Sequence, residues 1–171
     1  SKGEALICRA YSHFVLANMF CMPYNPATAG NCLGIPYMDH AETDLNPRYE
    51  RGTLQEVYEM IGKDIEAGIP LIDDTAYSVP KYHFNYKAAC CFASRYYLFM
   101  QDWDNAIKYA TMALTSNPSS LLRDYSAIAA LPNGTSRHQE YVNSASTANF
   151  LLQAATSNSG LLFDWYSTAG R

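Results

Sequence analysis

Four metal-capable side chains, Asp39, His40, Glu42 and Asp44, crowd one short stretch of the chain. Carboxylates and an imidazole at this spacing can surround a divalent ion. The plainer reading is a solvated acidic loop. The other histidines, His13, His83 and His138, are scattered. His13 falls in an apolar stretch, where a core histidine with one satisfied nitrogen is the ordinary role. The five cysteines, Cys8, Cys21, Cys32, Cys90 and Cys91, form no C-x-x-C pair, so no zinc or redox motif is supported. Cys8, Cys90 and Cys91 sit in apolar helical stretches and read as buried, inert thiols. No nucleophile elbow, phosphate-binding loop, H-E-x-x-H or dinucleotide fingerprint occurs. Asp73-Asp74 reads as a turn, and Asn133-Gly134-Thr135 is a glycosylation sequon too short to carry weight alone. The chain therefore offers no catalytic set, no metal centre and no cofactor site.

Tyrosine is the compositional outlier, with 14 copies. Tyr58, Tyr96, Tyr97 and Tyr109 fall on helical patterns and read as packing residues. Tyr24, Tyr37, Tyr49, Tyr125, Tyr141, Trp165 and Tyr166 fall outside them. Such rings can serve a ligand that has apolar faces and a hydroxyl rim, a description that fits a sugar and also a peptide. Trp165 and Tyr166, beside Asp164 and Ser167, are the leading ligand-binding pair, with Tyr24 in reserve. The competing role for Trp165 is packing against the rest of a longer protein.

These residues need a frame, and the frame is helical. Residues 3–20 are apolar on most sides, with Leu6, Ala10, Phe14 and Ala17 at helical spacing, so this helix packs on more than one neighbour. Pro23 and Pro26 end it. Residues 21–52 carry turn chemistry throughout, and so long a loop is usually functional or docked. Thr53-Leu54-Gln55-Glu56 forms a capping box. It opens a helix whose inner face is Leu54, Val57, Tyr58, Ile61, Ile65 and Ile69, ending at Pro70. A third helix spans 86–100 and a fourth 103–116, with Asp102 as the cap between them and Ala106, Ile107, Ala110, Ala113 and Leu114 facing inward. The short connection makes the two antiparallel neighbours.

That pair has the register of a tetratricopeptide repeat counted from Lys87. Ser94, Ala106 and Ala113 fill its small positions, Tyr97 and Trp103 its large ones, and Pro118 its end. Ala110 stands where an aromatic is usual. The register makes Trp103 structural. Beyond Pro118 the pattern weakens: 121–131 reads as a short helix, Pro132-Asn133-Gly134 as a turn, and 150–152 as a strand or helical turn.

The composition sets outer bounds. A chain of 171 residues buries about 70% of its unfolded surface and can hold a core without staples. With 49% hydrophobic and 16% charged residues it is globular. A net charge of −4 opposes nucleic-acid binding. No apolar run approaches the roughly 20 residues that span a bilayer, and no signal peptide opens the chain. The abrupt helical start and the apolar end at 160–166 suggest a piece of a longer protein.

Several segments in order resemble one family. Gly3-Glu4-Ala5, Arg9-Ala10-Tyr11, His13-Phe14, Leu16, Phe20 and Pro23-Tyr24 resemble a helix of SusD/RagB-type proteins, and Leu33-Gly34-Ile35-Pro36 its following loop. Arg51-Gly52-Thr53, Glu56-Val57-Tyr58, Ile61, Asp64-Ile65 and Ala67 are similar to the next helix. Lys87-Ala88-Ala89, Ser94 to Met100, Asp102-Trp103 and Ala106 resemble its repeat. The resemblance covers residues 3–118. It implies an all-α, tetratricopeptide-like helical array with long irregular loops. It also implies a surface-exposed outer-membrane lipoprotein that binds a glycan without catalysis and docks on a SusC-like TonB-dependent transporter. On this reading residues 1–118 are the helical region and 119–171 a less regular continuation, cut short. On the same reading, the protein meets the membrane only through a lipid anchor missing from this chain. The alternatives are a repeat scaffold that binds a peptide, and an enzyme built on the scattered carboxylates.

Overall fold

The computed structural model describes residues 1–114 and 118–151. The first helix, α1 (Lys2–Phe20), starts where Ser1 Oγ accepts the Glu4 N–H at 3.2 Å. The second, α2 (Leu54–Gly68), starts at the capping box: Thr53 Oγ1 accepts the Glu56 N–H at 3.2 Å, and Glu56 Oε2 accepts the Thr53 N–H at 2.7 Å. Both caps satisfy amide groups that a helix start leaves without partners. The two helices lie antiparallel, with the start of α1 against the end of α2. There a Cβ on Gly3 would fall 2.7 Å from the Gly68 carbonyl oxygen, so backbone meets backbone and no side chain fits.

Short 3-10 turns at Ile69–Leu71, Asp74–Ala76 and Pro80–Tyr82 carry the chain to α3 (Tyr86–Phe99), capped by Asn85. α4 is Trp103–Leu114, and Asp102 Oδ1 accepts the Asn105 N–H at its start. Between them Gln101 takes φ 63°, while the Asp102 N–H reaches Tyr97 O at 3.0 Å and the Gln101 N–H reaches Leu98 O at 3.1 Å. This is a Schellman ending with glutamine at the left-handed position that usually holds glycine. It folds α4 back along α3. Tyr97 and Tyr109 then stack 5.3 Å apart at 5°, and Ser94 Oγ donates to Ala106 O at 2.9 Å. The small residue at 94 therefore does two things: it admits the neighbouring helix and bonds to it.

The core follows the sequence pattern closely in α2 and the turn after it, where Leu54, Val57, Tyr58, Ile61, Ile65 and Ile69 are all buried. Full burial of each such side chain is worth about 1.5–3 kcal/mol. Tyr96, Tyr97 and Tyr109 are buried with them. In α1 the inner face is Ile7, Ala10, Phe14 and Ala17; Leu6 is only half-buried, because Ile7 faces Gly68. In α4 the inward residues are Ala106, Tyr109 and Ala113, while Ile107 is 65% exposed. Trp103 is also exposed, at 57%, on the first turn of α4, which corrects its expected structural role. Of the cysteines, Cys90 is buried and Cys8 and Cys91 are half-buried, and all five are free.

The later elements are shorter than expected. Within 121–131 only α5 (Tyr125–Ala129) is helical. The expected turn at Pro132-Asn133-Gly134 instead opens α6 (Gly134–Tyr141), with Asn133 Oδ1 accepting the Ser136 N–H at 2.8 Å. Phe150 and Leu151 are irregular. No strand occurs among the described residues; a lone bridge joins Leu33 to Thr53.

Candidate ligand site

Most of the chemistry the sequence offered is spent on holding one loop. Arg9, on α1, grips Asp64, on α2, with two hydrogen bonds, Nε to Oδ2 and Nη2 to Oδ1, each 2.6 Å. Tyr37 O–H donates to Asp64 Oδ2 at 2.6 Å, and Arg9 Nη1 donates to Asp39 O at 2.8 Å. The Asp64 carboxylate, 9% exposed as a side chain, thus serves three donors. Its hydrogen bond raises the pKa of the Arg9 guanidinium, while burial and then the Asp64 bond push the Tyr37 phenol up. His13 Nε2 accepts the Met38 N–H at 2.9 Å, so Nδ1 carries the proton and donates to Arg9 O at 2.8 Å. The imidazole also stacks on Tyr37 at 3.9 Å. The expectation of a core histidine holds, with both nitrogens engaged rather than one.

The loop stem is fixed from its other side as well. Gly34 N–H donates to Gly52 O at 2.8 Å, and Arg51 Nε donates to Gly34 O at 2.6 Å. The acidic stretch that follows does not converge on a centre. Asp39 pairs with His40, Glu42 accepts from the Tyr49 hydroxyl, and Asp44 is exposed. Among the described residues no three His, Cys, Asp or Glu side chains are placed to hold a metal.

An open space lies elsewhere, in a groove of about 870 Å³ between α1, α3 and the 121–151 segment. Clefts of about 300–1,000 Å³ are the size that takes small ligands. Its floor is aromatic: Tyr11 packs on Phe84 at 5.5 Å and on Phe92 at 5.2 Å. The facing wall presents Leu122, Tyr125 and Phe150. That wall is tied down by polar contacts. Asn85 Nδ2 donates to Phe150 O at 2.6 Å, and Lys81 Nζ donates to the Ser144 and Ser146 carbonyls at 2.7 and 2.9 Å. Arg123 donates to Asn149 Oδ1 and to Tyr141 O, and lies 3.9 Å over the Tyr141 ring. Arg95 also lines the groove, exposed, and makes no hydrogen bond or ion pair with the described residues.

Of the sequence-predicted ligand residues, Trp165 and Tyr166 lie outside the described residues. Tyr24 is half-buried, with one face against Tyr58 at 4.4 Å, and burial followed by the Glu59 charge pushes its phenol up. It stands apart from the groove. Among the other loop aromatics, Tyr37 belongs to the loop clamp, Tyr49 bonds to Glu42, Tyr125 opens α5 at the groove, and Tyr141 carries Arg123. Sequence reasoning missed the groove because its floor joins residues 11, 84 and 92, on separate elements, and no local spacing records that meeting.

Residues 1–98 match a SusD-like family described as starch-binding and associating with the outer membrane. A SusD superfamily protein of Bacteroides thetaiotaomicron superposes with a TM-score of 0.59 at 28% identity, over 82% of this chain and 27% of that one. Another from Bacteroides fragilis gives 0.57 at 27% identity, over 70% and 28%. A third, from Bacteroides vulgatus, gives 0.59 at 26%, over 75% and 29%. The chain thus spans less than a third of the length of these solved proteins. No curated protein matches it.

Proposed function

Because the chain belongs to the SusD-like family, we propose that it forms the helical part of a glycan-capture protein of an outer-membrane uptake system. The match over residues 1–98 carries this reading, since that family is described as starch-binding and associating with the outer membrane. In it the α3–α4 pair and the clamped loop are scaffold, and the protein docks on a TonB-dependent transporter of the SusC type. The role is capture without catalysis. No described helix is long and apolar enough to cross a membrane; the reading holds the protein at the cell surface through a lipid anchor.

Capture needs flat rings for the C–H faces of sugars and polar groups for their hydroxyls. The groove over Tyr11, with Tyr125 and Phe150 opposite, supports that role, and Trp165 with Tyr166 remains the proposed aromatic pair, with Tyr24 behind it. Each contact is weak, so binding relies on several sugar units. Titration calorimetry with neutral oligosaccharides, on wild type and Trp165→Ala, tests the reading. Binding that weakens in the variant while the circular dichroism is unchanged supports it. Equal affinity removes Trp165 from the site. Binding of peptides with no response to any glycan would turn the assignment to a protein-interaction scaffold, and release of reducing ends by the pure protein would make it an enzyme.

A further inference from the structure

We propose that the groove between α1, α3 and the 121–151 segment selects an acidic oligosaccharide, one bearing uronate carboxylates, with Arg95 as the anion-pairing residue. The inference rests on the glycan-capture reading and narrows its ligand class. The chain as a whole is acidic, with a net charge of −4. The groove runs against that balance: among the described residues its lining contains Arg95 and Arg123 and no aspartate or glutamate. Lys87, on α3 with Arg95, holds its ammonium 5.8 Å from the Phe150 ring of the facing wall.

The two guanidiniums are not equivalent. Arg123 is spent on Asn149, on the Tyr141 carbonyl and on the Tyr141 ring, and so builds the wall. Arg95 makes no hydrogen bond or ion pair with the described residues. A guanidinium presents a planar fork that fits a carboxylate with two parallel hydrogen bonds. The rest of the groove suits a sugar ring better than a small anion. Tyr125 is 64% exposed and Tyr11 half-buried, giving rings for the C–H faces of a pyranose, and about 870 Å³ is far more than one carboxylate fills. A neutral glycan would use the rings and offer Arg95 only hydroxyl acceptors; a uronate adds a charged, bidentate one.

The test is calorimetric titration of trigalacturonate and of maltotriose into the 171-residue chain and its Arg95→Gln and Arg95→Lys variants. Arg95 is exposed and makes no hydrogen bond or ion pair among the described residues, so both variants should keep the wild-type thermal melt. The expected result is that Arg95→Gln weakens trigalacturonate binding about tenfold, the size of one lost charge-assisted contact. Arg95→Lys should weaken it less, and maltotriose should not respond to either change. Raising sodium chloride from about 50 to about 300 mM should weaken only the acidic sugar. Maltotriose binding with no trigalacturonate binding overturns this inference and leaves glycan capture standing. Binding of neither sugar overturns both. Trigalacturonate binding that Arg95→Gln does not change overturns the role of Arg95. Displacement of trigalacturonate by a glutamate-rich peptide that binds more tightly would assign the groove to a protein partner and overturn the inference as well.

Discussion

Replacing Asp64 by alanine tests the loop clamp directly. The change removes the acceptor for Arg9 Nε, Arg9 Nη2 and the Tyr37 hydroxyl, three bonds of 2.6 Å each. Breaking one side of a buried ion pair costs about 3–5 kcal/mol. The Arg9 side chain is 30% exposed and keeps its bond to Asp39 O, so water can rehydrate part of the guanidinium. The expected loss is therefore near the lower bound, about 3 kcal/mol, out of a total that is typically about 5–15 kcal/mol. With a urea slope of about 2 kcal/mol per molar, the midpoint should fall by about 1.5 M. The loss should also be local. Amide exchange at Met38, whose N–H is held by His13 Nε2, should accelerate more than exchange at Tyr109 in α4. A double variant, Arg9→Met with Asp64→Leu, should lose less than Asp64→Ala alone, because no charge is left unpaired. A midpoint shift under about 0.3 M, or a large shift with Met38 still protected, would refute the clamp as the source of loop order.

Three further outcomes follow from the fold. Ala106→Leu should overpack the α3–α4 contact beside Ser94 and cost about 1–3 kcal/mol in denaturant melts, whereas Ile107→Ala on the exposed side should change stability by less than about 0.5 kcal/mol. Gln101→Gly should raise the melting temperature, since it removes a side chain from the left-handed region, a relief of up to about 1–2 kcal/mol. The Glu56 carboxyl is held below its ordinary pKa by the Thr53 N–H and then the Thr53 hydroxyl. A depressed folded-state pKa means that the stabilisation is complete above the unfolded value, near pH 4.3, and fades as pH falls through the lower folded one. Thermal melts across that acid limb should show a shallower decline in Glu56→Gln than in wild type.

Local periodicity determined much of this protein without help from the tertiary structure. Helical spacing in α2 named its buried apolar stripe, though not the buried Gly62, Asp64 and Gly68, and Thr53 and Glu56 marked its first turn, because a capping box and an apolar stripe are both written within a few residues. The repeat register placed Tyr97, Ala106 and Ala113 at the α3–α4 contact for the same reason: a short connection lets two local patterns meet in only one way. Periodicity was weaker where a helix is apolar on several sides. In α1 it chose Leu6 over Ile7, and in α4 it placed Ile107 inward, since only the neighbour's position decides which stripe is covered. Trp103 fell on a large position of the repeat yet lies exposed. The loop after α1 carried no periodicity at all. Its order comes from His13, Arg9 and Asp64, and Asp64 lies 55 residues from Arg9 in the chain. The groove has the same origin, with residues 11, 84, 92 and 122–150 meeting only after the helices have packed. Helices are short-range objects, so sequence spacing reveals them. A docked loop and a cleft are made by hydrogen bonds and surfaces between distant segments, and only the folded chain brings those segments together.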